Sequence, residues 1–252
     1  NTVDGDQIYF LWINSTSNDP QYDQLTEKSS DLVNVDDDVA EILGPFNASG
    51  GAACKVTEDS TVAGQPLSMP IYLSSRPAGD VTVTVASSDP ALALVTAQVD
   101  PLSYGSETVL IFTPDKWATR QYILVKGVDN YVEDGTRPFE ILVSAASTVD
   151  VNYGSTLTPV TSAVECVVED DDVAVLVFEP VSDVLLTAEL ASDPFHSLSF
   201  NVSLGSQPTS AVIVEVSTND TAEGVIFMNE DEDGSSRTTL VFSADNWHDP
   251  QV

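Results

Sequence analysis

Leu67-Ser-Met-Pro-Ile-Tyr-Leu-Ser-Ser-Arg-Pro-Ala-Gly-Asp-Val-Thr-Val-Thr-Val85 returns further along the chain as Leu198-Ser-Phe-Asn-Val-Ser-Leu-Gly-Ser-Gln-Pro-Thr-Ser-Ala-Val-Ile-Val-Glu-Val216. In both copies apolar and polar residues alternate. Val81, Val83 and Val85 face one way with Thr82 and Thr84 between them, and Val212, Val214 and Val216 repeat the pattern. A period of two bounded by Gly, Pro, Asp and Ser clusters predicts half-buried antiparallel strands. A second pair of segments agrees: Val109-Leu-Ile-Phe-Thr-Pro-Asp-Lys-Trp117 matches Thr239-Leu-Val-Phe-Ser-Ala-Asp-Asn-Trp247, and each copy then gives a Gln, at 121 and at 251. The first copy runs on to an acidic stop, Glu169-Asp-Asp-Asp172. The matching back half stands at the other end of the chain. Asn1-Thr-Val-Asp-Gly5 echoes Asn130-Tyr-Val-Glu-Asp-Gly135, and Val35-Asp-Asp-Asp-Val-Ala40 echoes Val168-Glu-Asp-Asp-Asp-Val-Ala174. The order is back half, whole repeat, front half, with a domain-sized period.

No convincing stretch of helical periodicity interrupts this pattern. Short strands at regular spacing predict an all-β chain of immunoglobulin-like sandwiches with Greek-key connections. Three regions follow from the acidic stops: residues 1–38 as a strand segment, 39–172 as a complete sandwich, and 173–252 as an incomplete one. Residues 14–31 and 44–53 read as polar or Gly-rich loops, and 229–236 as a solvated acidic turn.

Composition narrows the function classes. Apolar residues make up 42% of the chain, enough for a core, so this is no disordered acidic tail. The net charge is −32 with only eight Lys and Arg. Phosphates would be repelled and no basic stripe exists, which excludes nucleic acid as a partner and disfavours an anionic membrane surface. No stretch has the run of roughly 20 apolar residues that spans a bilayer, so no membrane insertion is expected. Residues 7–13 are too short for a signal core and lack a basic flank; they read as a strand. Carboxylates concentrated in loops are the usual way to hold calcium.

Cys54 opens a strand of the complete repeat and Cys166 lies in its last strand, while the matching positions of the two halves carry no Cys. Either the two form a disulfide or they are buried free thiols. Four Asn-x-Ser/Thr sequons start at Asn14, Asn47, Asn201 and Asn219. Together with a disulfide they imply N-linked glycans and an extracellular or cell-surface setting.

Several of these motifs resemble Calx-beta domains. They are Glu58…Gly64 after the first strand, the Leu-x-Φ-x-Φ-x-Leu strand, the Phe-x-x-x-x-Trp-x-x-x-Gln run, the Val-Asp-Asn-x-x-Glu-Asp-Gly loop and the closing Asp-Asp-Asp. The resemblance covers nearly the whole chain. It implies tandem immunoglobulin-like sandwiches of the kind found in exchangers and in large adhesion and matrix proteins. It also implies a calcium site at the end of the complete sandwich, carried here by Glu58, Asp129, Glu133, Asp171 and Asp172. The competing explanation is a solvated hinge whose charge discourages edge pairing. Glu189-Leu-Ala-Ser-Asp replaces the Glu…Gly turn in the second copy, which puts an acidic site there in doubt. In architecture alone the halved register resembles fibrous surface glycoproteins of algae and protists.

Nothing points to an enzyme. His196 and His248 do not occupy equivalent positions, and no nucleophile elbow, zinc helix or phosphate loop occurs. Trp117 and Trp247 read as packing aromatics on a repeated strand. The expectation is a structural subunit that polymerises with itself, head to tail, by strand complementation. Ile8, Phe10 and Trp12 point one way along the donor strand, with Tyr9, Leu11 and Ile13 on the other. Two alternatives are a window on a long tandem adhesion or matrix array, in which covalent continuity replaces donation, and a calcium-binding regulatory module.

Overall fold

The computed structural model describes residues 2–45, 54–59, 61, 65–156, 158–181, 183, 185–189, 197–227 and 234–252. It is nearly all β. Strands β1 (Gln7–Tyr9), β2 (Trp12–Asn14), β3 (Thr26–Lys28) and β4 (Leu32–Asn34) lie in the N-terminal segment. Next come β5 (Ile42–Leu43), β6 (Cys54–Thr57), β7 (Leu67–Leu73), β8 (Val81–Ser87), β9 (Ala93–Ala97), β10 (Glu107–Phe112), β11 (Gln121–Gly127), β12 (Arg137–Ser147) and β13 (Val160–Glu169). The last four are β14 (Leu176–Pro180), β15 (Phe200–Leu204), β16 (Val212–Ser217) and β17 (Arg237–Phe242). Two compact units result. One comprises residues 1–56, 60–128 and 138–168; the other comprises 57–59, 129–137 and 169–252.

The first unit is built on a two-sheet sandwich, with strand orders β10-β8-β12-β13-β6 and β5-β7-β11-β9. Alternation in the sequence becomes the two faces of each strand. Val81, Val83 and Val85 of β8 are fully buried, and their neighbours across β10, Phe112 and Leu110, enter the same core. Ile141, Val143 and Ala145 of β12 flank them on the other edge. Each such side chain removed from water contributes about 1.5–3 kcal/mol. Cys54 and Cys166 are joined by a disulfide with Cα atoms 4.4 Å apart, tying β6 to β13 at the sheet edge.

A turn between β12 and β13 seals one end of this core. Asp150 caps a single 3-10 turn, Val151–Tyr153, by accepting the Asn152 N–H, and its other carboxylate oxygen accepts the Ala78 N–H at 2.8 Å. Tyr153 is thereby driven inward and is 0% exposed. Its hydroxyl donates to the Ser75 carbonyl at 2.6 Å and receives the Ser75 N–H at 3.1 Å. Gly154 follows at φ +77°, where a Cβ would lie 2.5 Å from the Thr158 carbonyl, so no other residue fits without moving backbone.

In the second unit, β14–β15 and β16–β17 reproduce the registers of β5–β7 and β8–β10. Leu176 pairs with Leu204 as Ile42 pairs with Leu73, and Phe242 pairs with Val212 as Phe112 pairs with Val81. Loop hydrogen bonds recur too: the Leu204 N–H donates to the Trp247 carbonyl as Leu73 does to that of Trp117. The side-chain amides of Gln121 and Gln251 reach back to the carbonyls of Ile111 and Val241. Yet the core of this unit is small, centred on Val202, Leu240 and Phe242, with Val212, Val214 and Val216 partly buried. Among the described residues β16 pairs on one edge alone, to β17.

Residues 2–38 correspond to β12 and β13. β1 pairs with β4 and β2 with β3, giving one long antiparallel hairpin. One carboxylate oxygen of Asp36 accepts the N–H groups of Asp4 and Gly5, and the other accepts Asp38. Asp170 does the same for Asp134, Gly135 and Asp172. Both glycines adopt positive φ, +71° and +74°. At the tip, Asp19 accepts the Gln21 N–H with its side chain and the Tyr22 N–H with its carbonyl, as Asp150 does for Asn152 and Tyr153. The difference is that Tyr22 is 61% exposed.

Candidate functional site

Three loops of the second unit bring carboxylates together. Residue 58 follows β6, the loop 129–137 joins β11 to β12, and the acidic stop follows β13. Glu58, Asp129 and Asp172 each present an oxygen, all within 4.8 Å of one another. Glu58 is buried and is held by Asn130, whose backbone N–H and side-chain amide each donate to it at 3.2 Å. Burial pushes the Glu58 carboxyl above its ordinary range; the Asn130 N–H opposes this, and Asp134, Asp170 and Asp172 add to it by repulsion. Asp172 is raised as well, by burial first and then by Asp129, Asp170 and its other acidic neighbours. Its Oδ2 is buried and has no hydrogen-bond donor among the described residues.

Of the five carboxylates named from the sequence, Glu58, Asp129 and Asp172 converge. Glu133 instead accepts the Ala174 N–H at 2.6 Å, and Asp171 is exposed outside the group. Gly64 and Asn47 lie outside the described residues. The sequence reading missed two residues that hold the site in place: Asn130, which orients Glu58, and Asp170, which clamps the loop. Burial acts to raise Asp170, but the N–H groups of Gly135, Asp172 and Asp134 outweigh it and leave the carboxyl below its usual range. The signal for Asp170 was present: an Asp-Gly and a later Asp recur together, at 4–5 with 36 and at 134–135 with 170.

Chemically, the donor set is three hard oxygens with an orphaned fourth atom and no cation beside it. Arg137 is the nearest base recorded in the loop, and it pairs with Asp134 at 2.7 Å. Such a set fits a hard divalent cation such as calcium, which takes carboxylate oxygens in flexible geometry.

The remaining residues singled out from the sequence lie on strands and turns. Ile8, Phe10 and Trp12 are exposed on the hairpin, as are Asn14 on β2 and Asn219 after β16, while Asn201 is partly buried on β15. Among the described residues no helix is long and apolar enough to cross a membrane. A scan against family models and a search of curated proteins both return no match.

Proposed function

We infer that this chain is a structural subunit of an extracellular glycoprotein filament, joined head to tail by β-strand complementation. One observation carries the reading. Residues 2–38 reproduce the backbone hydrogen bonds of the β12–β13 turn and acidic stop, while residues 173–252 reproduce β5 to β10 around a core left partly open. An apolar hairpin and an apolar face of matching origin satisfy each other, because buried amides and exposed core side chains both require a partner. A contact between different surfaces of identical subunits propagates into an open filament unless a ring closes. The Cys54–Cys166 disulfide and the exposed sequons at Asn14 and Asn219 support an oxidising, glycosylated setting. Deleting residues 1–13 removes half the hairpin, so the variant should remain soluble and stay monomeric in light scattering. Polymers of native length from that variant would reject the complementation.

The same reading takes calcium at Glu58, Asp129 and Asp172, in line with the resemblance to Calx-beta domains. The buried Asp172 Oδ2 supports it. Bound calcium would convert mutual repulsion into coordination and stiffen the loop 129–137. Titration at fixed ionic strength should raise the unfolding temperature; a flat response means that the carboxylates are a solvated cluster.

A further inference from the structure

The first unit contains the proposed joint once already, in covalent form. There β12 pairs with β8, Tyr153 fills the space beside Ser75, and Cys166 meets Cys54. Each partner has a counterpart in the open regions. Ser206 stands where Ser75 does, Val216 where Val85 does and Leu185 where Cys54 does; on the hairpin, Tyr22, Ile13 and Leu32 stand for Tyr153, Val143 and Cys166. We propose that the hairpin of one copy docks on residues 173–252 of a second copy in this register, with Tyr22 beside Ser206, Ile13 opposite Val216 and Leu32 against Leu185. The proposal rests on strand complementation and adds which face and which register it uses.

Three observations support it. First, the hairpin has an inward face. Tyr9, Leu11 and Ile13 correspond to Phe139, Ile141 and Val143, all buried, and Leu32 pairs across from Tyr9 on that same side. The opposite face is already packed on itself: Phe10 meets Trp12 edge-on at 5.7 Å and the Lys28 ammonium sits 3.8 Å over the Phe10 ring. That face matches Glu140 and Leu142, which are exposed on β12. The contact is therefore carried by Tyr9, Leu11 and Ile13 rather than by Ile8, Phe10 and Trp12.

Second, the second unit holds a groove of about 480 Å³ lined by Leu176, Leu204, Ser206, Thr209, Val212 and Val214. Thr209 takes the place of Ala78, whose N–H is bound by Asp150. Asp19 and Tyr22 form the same turn as Asp150 and Tyr153, with the ring still exposed. Seating one tyrosine removes on the order of 150–250 Å² from water and gives its hydroxyl partners at the backbone of Ser206.

Third, both members of the cysteine pair are exchanged together. Leu32 and Leu185, the latter 61% exposed, stand where the disulfide would otherwise be. An apolar pair keeps the contact while leaving the joint free to form between separate chains. Residues 185–188, the counterpart of β6, take no strand conformation in the second unit, as expected for a strand whose neighbour β13 has no counterpart there.

The test mixes two single variants of the full chain, Leu32→Cys and Leu185→Cys, under mild oxidation. Because the new thiols lie on different molecules, any link between them is intermolecular. Peptide mapping should find positions 32 and 185 joined, at a yield about tenfold above that of a Phe10→Cys and Leu185→Cys mixture. Tyr22→Phe should weaken association in light scattering by about tenfold, the scale of one net hydrogen bond, and Tyr22→Ala by more. Association that persists with no 32–185 link, or with position 10 linking better, overturns the register and leaves complementation standing. A native chain that stays monomeric at every concentration overturns complementation itself.

Discussion

Val83 and Val214 sit in the same strand register, each opposite a leucine of the following strand, yet the first is fully buried and the second only partly. Strand pairing is thus local: the sequence of β16 and β17 suffices to align them. Burial is not local, because it needs the strands that β12 and β13 supply in the first unit. The contrast teaches that residues 173–252 have the hydrogen-bonded skeleton of a sandwich before they have its core. Everything that depends on enclosure should differ between the units, and everything that depends on backbone pairing should not.

The sharpest way to break this comparison is reduction. Opening the Cys54–Cys166 link releases a long loop in the unfolded chain and should cost the first unit about 4–5 kcal/mol in the chain-entropy model. The second unit, with no cysteine, should unfold at an unchanged temperature. Two calorimetric transitions moving together would deny that the units are separately stabilised.

Val83→Asp should come next. An unpaired charge in an enclosed core costs on the order of 4 kcal/mol, so urea denaturation should show the first unit largely unfolded at room temperature. Val214→Asp, at a partly open position, should cost about 1 kcal/mol in the dilute monomer. Equal losses would mean that the second unit is enclosed after all.

Tyr153→Phe removes a hydroxyl that serves the Ser75 carbonyl and N–H, and should lower stability by about 1–2 kcal/mol. Tyr22→Phe should leave the unfolding of the dilute chain unchanged. A matching loss at Tyr22 would place that ring in a closed environment within the single molecule.

The smallest effect is in pH. Asp170 and Asp36 have folded pKa values below those of the unfolded chain, Asp36 chiefly through the N–H groups of Asp38 and Gly5. Their contribution is present above the ordinary carboxylate pKa and is lost as pH falls through the depressed values. Glu58 and Asp172 are raised, so they penalise the folded state above their folded pKa, and protonation relieves it. In chelator, the second unit's melting temperature should rise slightly as pH falls from about 7 toward the raised carboxylates, then fall below about pH 4. Glu58→Gln should abolish the rise and keep the fall. A monotonic curve in the unsubstituted protein would show that the cluster is not strained.

Much of this was legible in the sequence because period-two alternation is a backbone-level signal. The strands from Leu67 to Val85 and from Leu198 to Val216 were readable, and so were the acidic stops. The convergence of Glu58, Asp129 and Asp172 was readable only as a set of five, since a carboxylate two atoms from a free N–H, like Glu133, looks no different in a sequence. Asp150 and Tyr153 were missed for another reason. Their Asp-x-x-Tyr spacing is repeated at Asp19 and Tyr22, but the turn that gives it meaning is a few residues long and has no periodicity. The burial contrast between equivalent valines could not be read at all, because it is set by strands distant in the chain.

The link between Cys54 and Cys166 has a mechanical meaning. Tension applied to the two ends of this chain enters the first unit through β6 and leaves through β13, and the sulfurs short-circuit everything in between. With 112 residues between the two positions, roughly 370–400 Å of contour length is withheld from extension. A stretched oxidised chain can lengthen only through its N-terminal hairpin and its second unit, so the bridged sandwich behaves as a rigid link of fixed length and the flanking segments as the compliant ones.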